Sequence, residues 1–110
     1  MHYFFITGSS KGLGKALAEL ILSNENNFVY GISRTNTISH QQFQHLKLDL
    51  ADLDAVQQFQ YPELKDATAI TLVNNAGIVG DIKHLGNLDA EKIISTYSIN
   101  LISPTILTNL

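Results

Sequence analysis

Tyr3-Phe4-Phe5-Ile6-Thr7 runs straight into Gly8-Ser9-Ser10-Lys11-Gly12-Leu13-Gly14, so a short apolar, aromatic-rich segment abuts a glycine-rich turn. Behind the turn, Leu13, Ala16, Leu17, Leu20 and Ile21 fall at i, i+3, i+4, i+7 and i+8, one face of a helix. A glycine pattern between a strand and an amphipathic helix carries chemistry that a bare pattern does not. Gly8 permits the tight turn off the strand, Gly12 lets the backbone approach a pyrophosphate with no Cβ in the way, and Gly14 lets the helix pack close to the sheet. The free N–H groups at the start of the helix, at the positive end of its dipole, suit phosphate oxygens. The spacing is G-x-x-x-G-x-G. It differs from the G-x-G-x-x-G of the broader dinucleotide folds, and without a following G-K-[ST] it is no Walker A loop.

Working outward, the segments Tyr3–Thr7, Phe28–Ile32, His45–Leu48 and Ala69–Val73 read as strands, nearly continuous in apolar residues, as strands covered on both faces are. Leu53, Val56 and Phe59 suggest a short helix after Asp49, with Asp52 and Asp54 as its first-turn residues rather than an acid–base pair. Ile93, Ile94, Tyr97, Leu101 and Ile102 suggest a long final helix opened by an Asp89 cap, with Tyr97 packing on its face. This alternation predicts an α/β fold, a doubly wound parallel sheet with crossover helices. Such sheets normally have about six strands, and four are visible. The expectation is that residues 1–110 form the nucleotide-binding part of a longer protein, cut within its fourth major helix.

Composition narrows the function classes. The chain has 110 residues, 45% hydrophobic and 15% charged, enough for one packed domain or part of one. Seven Lys plus Arg against ten Asp plus Glu leave a net charge of −3, so no nucleic-acid partner is expected. There is no cysteine, which excludes disulfides and zinc–thiolate sites and fits a reducing, cytoplasmic compartment. Apolar runs are far shorter than the roughly 20 residues that span a membrane, so no membrane role is expected. His2, His40, His45 and His84 show no metal-ligand spacing and read as structural or solvent-facing.

Four ordered motifs then resemble the short-chain dehydrogenase/reductase family, whose fold is Rossmann-like. Its opening T-G-x-x-x-G-x-G is matched by Thr7, Gly8, Gly12 and Gly14. Asp49-Leu50 ends the third strand, where the family places an Asp that hydrogen-bonds adenine. Asn74-Asn75-Ala76-Gly77 ends the fourth, matching the family's N-N-A-G. Asn100 lies in the last helix, where the family carries the Asn of its catalytic tetrad. Within the family, Ile32-Ser33-Arg34-Thr35 and Ile70–Gly77 look like the sepiapterin reductase and benzil reductase group. The resemblance implies cofactor-binding roles for Gly8, Ser10, Lys11, Gly12, Leu13, Gly14, Ser33, Arg34, Asp49, Leu50, Asn75, Ala76 and Gly77, and a catalytic role for Asn100. It also implies a homo-oligomer formed through the helix that begins near Asp89.

The end of the second strand selects the cofactor. A carboxylate there binds the ribose hydroxyls of NAD and repels a 2′-phosphate. Gly31 to Thr37 contain no Asp or Glu, but do contain Arg34, the only arginine of the chain. A guanidinium suits a phosphate dianion, Ser33 can add a hydroxyl donor, and Lys11 can bring a second positive charge. NADP(H) is therefore the expected cofactor.

In the family a Tyr protonates the carbonyl oxygen, a Lys four residues on lowers the Tyr pKa, a Ser binds the carbonyl, and the Asn anchors a water-linked relay. The Ser and Tyr-x-x-x-Lys lie well downstream of that Asn, whereas this sequence stops ten residues after Asn100. The 110 residues alone are expected to be inactive. Tyr61-Pro62-Glu63-Leu64-Lys65 spells Y-x-x-x-K but precedes the N-N-A-G strand, and Pro62 disfavours helical geometry at Tyr61. It reads as a loop. The leading expectation is a reductase or dehydrogenase acting on a small-molecule ketone or secondary alcohol. A non-enzymatic NADP(H)-binding or sensing protein, or a catalytically incomplete fragment, would share every motif. A flavodoxin-like fold without nucleotide would leave four ordered motifs to chance. A Ser followed by Tyr-x-x-x-Lys in the reading frame beyond Leu110 would decide for the enzyme. One further expectation concerns Pro104, which removes the i→i+4 donor for the Asn100 carbonyl and should bend the last helix there.

Overall fold

A computed structural model describes residues 1–80, 83 and 86–110; His84 lies outside them. Four strands, β1 (His2–Thr7), β2 (Asn27–Ser33), β3 (Phe43–Lys47) and β4 (Ala69–Val73), form one sheet in the order β3-β2-β1-β4. Every pairing is parallel, with His2 opposite both Asn27 and Ala69, and Val29 opposite Phe43. The fold is Rossmann-like.

The pleat sends alternate side chains to opposite faces, and two separate cores result. Tyr3 and Phe5 of β1, Phe28, Tyr30 and Ile32 of β2, and Leu72 of β4 pack on one face with Leu48, Leu50, Val56 and Leu107. Phe4 and Ile6, Val29 and Val73 pack on the other with Ala18, Leu22 and Ile38. Aromatic rings dominate the first face, where Phe5 stacks on Tyr30 and meets Tyr61 edge-on, both at 4.9 Å between centroids. β2, flanked on both sides, is buried from Val29 to Ser33, whereas Ile70 on the β4 edge is exposed.

Helix α1 (Gly12–Leu22) is rotated by one residue from the face its leucines suggest. Gly14, Ala18 and Leu22 are buried, while Leu13 is 76% exposed and Leu20 is exposed as well. Gly14 sets the rotation. A Cβ on it would collide with the Gly8 carbonyl oxygen and the Asn75 side-chain amide, so the helix touches the end of the sheet through this residue. Hydrophobic periodicity gives glycine no weight and so misplaces the face.

Helices α2 (Leu53–Gln58) and α3 (Ala90–Tyr97) start as expected. The Asp52 carboxylate accepts from the Ala55 N–H at 3.1 Å, and the Asp89 carboxylate from the Glu91 N–H at 3.0 Å. The long final helix of the sequence reading is instead two α-helices, α3 and α4 (Ser103–Asn109), joined by one π-helical turn, Ser98–Ile102. Across the turn the Ser103 N–H donates to the carbonyl of Ser98, five residues back, and the flanking residues keep right-handed helical dihedrals. Pro104 lies in the first turn of α4, where a missing N–H is tolerated. The α-helical ladder therefore gives way at Asn100 by widening one turn. Tyr97, expected to pack, is 61% exposed. The Ser103 hydroxyl donates to the Leu50 carbonyl at 2.6 Å and the Tyr61 hydroxyl to the Leu107 carbonyl at 2.9 Å, which fastens α4 below the sheet. Among the described residues no helix is long and apolar enough to cross a membrane, and no group of three or more ligating side chains could hold a metal.

Candidate functional site

A cleft of about 790 Å³ opens at the carboxyl ends of the strands, the position where sheets of this type take ligands. Gly8, Ser10, Lys11, Gly12, Ser33, Arg34, Asp49, Leu50, Asn75, Ala76 and Gly77 all line it. Leu13, Gly14 and Asn100 do not line it. Gly14 is a packing residue, and Asn100 holds the backbone of Ile78, which does line the cleft.

The end of β1 is stitched to the end of β4. The buried Thr7 hydroxyl accepts from the Ala76 N–H at 3.0 Å and faces the Val73 carbonyl at 3.5 Å. The Asn75 amide donates to the carbonyls of Thr7 at 3.2 Å and Gly8 at 3.4 Å. These bonds hold the glycine turn and the N-N-A-G segment as one wall of the cleft.

The glycine turn leaves room for an anion. Gly12 has φ +59°, and a Cβ on it would meet no protein atom within 4 Å. The N-terminus of α1 has no side-chain cap and no acidic residue in its first turn, unlike α2 and α3. Its N–H groups are left for a ligand, and Lys11 supplies positive charge at the N-cap. This donor set fits a pyrophosphate. Arg34 is exposed on the turn after β2, and among the described residues neither it nor Lys11 makes an ion pair.

The sequence reading left several roles unseen. The Ser33 hydroxyl donates to the Thr35 carbonyl at 2.6 Å, so its proton is engaged within the turn and not free for a phosphate. His45 is structural in a specific way: its Nε2 reaches both the carbonyl and the hydroxyl of Ser33, each at 3.0 Å. The Asn100 side chain clamps the backbone of Ile78, its Oδ1 accepting from the N–H at 2.8 Å and its Nδ2 donating to the carbonyl at 2.6 Å. Strand register and the fold of the β4 exit create these pairs, and no local signal announces them. Tyr61 points into the aromatic core, and burial raises its phenol pKa, the wrong direction for a proton donor near neutral pH.

Known proteins match this architecture along its whole length. The family profile for short chain dehydrogenases covers residues 2–110. A benzil reductase, (S)-benzoin forming, of Bacillus subtilis is 36% identical over all of this chain and 47% of its own length. A benzil reductase of the same description from Bacillus cereus is 33% identical over 99% of this chain and 49% of its own. A crystal structure of a short-chain dehydrogenase/reductase from Burkholderia vietnamiensis superposes with a TM-score of 0.84 at 27% identity, over 98% of this chain and 54% of that one. The chain thus spans about half the length of the relatives it matches. The family match over residues 2–110, on a parallel sheet that superposes on that of a solved short-chain dehydrogenase/reductase, shows that the chain belongs to the short chain dehydrogenases.

Proposed function

We propose that the protein is an NADP(H)-dependent oxidoreductase that moves a hydride between the nicotinamide and a ketone or secondary alcohol. The observation that carries the cofactor choice is the convergence of Arg34 and Lys11 on one cleft, with no carboxylate between Gly31 and Thr37. A carboxylate at that place would repel a 2′-phosphate; a guanidinium and an ammonium attract it. The carbonyl substrate class draws on the two benzil reductases.

When bound, the cofactor supplies the hydride. The protein's part is to hold and orient it. The Gly8–Gly14 turn and the start of α1 take the pyrophosphate, Asp49 and Leu50 the adenine, and Arg34 with Lys11 the 2′-phosphate. Asn75, Ala76 and Gly77 wall the cleft opposite. Asn100 anchors a proton relay in the whole protein. Its side chain is committed to Ile78, which leaves its carbonyl, deprived by Pro104 of an i→i+4 donor, to hold a water. The partner in assembly is a second copy of the chain, met through α3, and the compartment is the cytoplasm.

Titration of NADPH and NADH against the protein and its Arg34→Ala variant tests the cofactor choice. Losing a charge-assisted phosphate contact worth about 1.5–3 kcal/mol should weaken NADPH roughly ten- to a hundredfold and leave NADH nearly unchanged. Equal loss for both cofactors would refute it.

A further inference from the structure

The turn that carries Arg34 is anchored at both ends to residues from elsewhere in the chain, His45 at one and Ser10 at the other. At one end, His45 of β3 reaches across to Ser33. The Ser33 carbonyl can only accept, so the His45 Nε2 carries the proton and shares it between that carbonyl and the Ser33 hydroxyl, each at 3.0 Å. At the other end, the Thr37 hydroxyl donates to the carbonyl of Ser10 in the glycine turn at 2.5 Å. Two local bonds tighten the span between: the Ser33 hydroxyl donates to the Thr35 carbonyl at 2.6 Å, and the Ile38 N–H to the Asn36 side chain at 3.0 Å. Only Arg34, Thr35 and Asn36 lie between the anchored residues. Ser33 is 8% exposed, so its end of the turn is set in the protein, while Arg34 projects from it.

We propose that His45 and Thr37 are positioning residues for cofactor discrimination, which hold the Arg34 turn against the Lys11 turn so that the 2′-phosphate cradle exists before the nucleotide arrives. This rests on the NADP(H) reading above. The physical reason is entropic. A loop ordered only on binding loses conformational freedom at that moment, and the loss is subtracted from affinity. Two anchors on either side of a three-residue span move that loss into folding. The benefit reaches only a ligand that uses Arg34. A dinucleotide with a 2′-phosphate gains from a fixed guanidinium, and one with a free 2′-hydroxyl does not. Neither His45 nor Thr37 need touch the cofactor.

The test uses two probes that isolate the adenosine end, 2′,5′-ADP and 5′-AMP, titrated against the protein as its gene encodes it. His45→Leu and Thr37→Val should each weaken 2′,5′-ADP about fivefold and leave 5′-AMP within about twofold, since only the preorganisation of the phosphate cradle is lost. His45→Gln, whose amide can still donate to the Ser33 carbonyl, and Thr37→Ser should recover most of the loss. Thr37 is exposed, so Thr37→Val keeps the test alive should His45→Leu fail to fold. Arg34→Ala serves as the reference. If Arg34→Ala abolishes the preference for 2′,5′-ADP while the folded His45 and Thr37 variants retain it, the positioning role is overturned and the NADP(H) reading stands. If His45→Leu and Thr37→Val weaken both probes equally, their role is structural and the inference falls. If Arg34→Ala leaves the preference untouched, the NADP(H) reading fails and takes this inference with it.

Discussion

Gly12 and Gly14 stand two residues apart and are glycine for unrelated reasons. Gly12 needs a left-handed φ of +59° and faces open space; Gly14 needs to be small because the Gly8 carbonyl and the Asn75 amide stand where its side chain would be. Substitution separates the two. Gly12→Val should remain folded at a cost of about 1–3 kcal/mol for a β-branched residue at positive φ, and should lose NADPH binding because the side chain fills the phosphate space. Gly14→Val should instead destabilise the whole domain, since the collision is with backbone that cannot move aside. Melting temperature and NADPH titration read the two effects. Normal NADPH binding by Gly12→Val would show that the glycine turn is not the phosphate site. The division of labour, Gly12 toward a ligand and Gly14 toward packing, was legible in the sequence; what the atoms around Gly14 add is the partner it packs on, the Gly8 carbonyl and the Asn75 amide, which spacing does not name. The same holds for Ser33. A serine beside an arginine looks like a second phosphate donor, and the Thr35 carbonyl two residues on has already taken its proton.

Among the elements, strands were easier to read than helices. Every strand lies within two residues of its expected place; β1, β2 and β4 are nearly continuous apolar runs and were read most closely, whereas β3, which interleaves Gln44, His45 and Lys47, starts two residues earlier than expected. The helical face of α1 was displaced by one residue, and the π-helical turn was read only as a bend. Helix faces depend on what the helix rests on, and the glycine contact of α1 leaves no trace in hydrophobic periodicity. The π-helical turn brings the Asn100 side chain to the backbone of Ile78, where two hydrogen bonds fix the exit of β4. Asn100→Ala should cost only about 1 kcal/mol, since the clamp is solvent-exposed. Its effect should be local: the Ile78 amide should exchange with solvent faster while protection in β1 and β2 persists. Unchanged exchange at Ile78 would mean that the clamp does not hold the segment.

On the scale of the whole molecule, one helix stands out for burying none of its residues. No residue of α3 is buried, and Ile94, Tyr97 and Leu101 are exposed along one helical stripe. Isolated exposed apolar residues need no explanation, but a contiguous stripe does. A second copy of the chain packing on α3 would cover it. Ile94→Glu combined with Leu101→Glu should then lower the mass measured by light scattering after size exclusion, with the NADPH affinity retained. An unchanged mass would remove α3 from the interface.

The sheet order has a consequence for how the chain acquires its shape. β1 sits between β2 and β4, and its second neighbour begins at Ala69, 67 positions beyond its partner His2. At about 5–20 residues per second, a ribosome needs roughly 3–13 s to make that stretch. Throughout this interval an aromatic-rich strand, Tyr3-Phe4-Phe5, exposes a row of unpaired N–H and C=O groups on one edge. A strand that will be paired on both edges thus waits longest for its second partner. Parallel order of this kind leaves an open strand edge until late in synthesis, and makes β4 the element whose arrival completes the wall of the cleft beside Gly8.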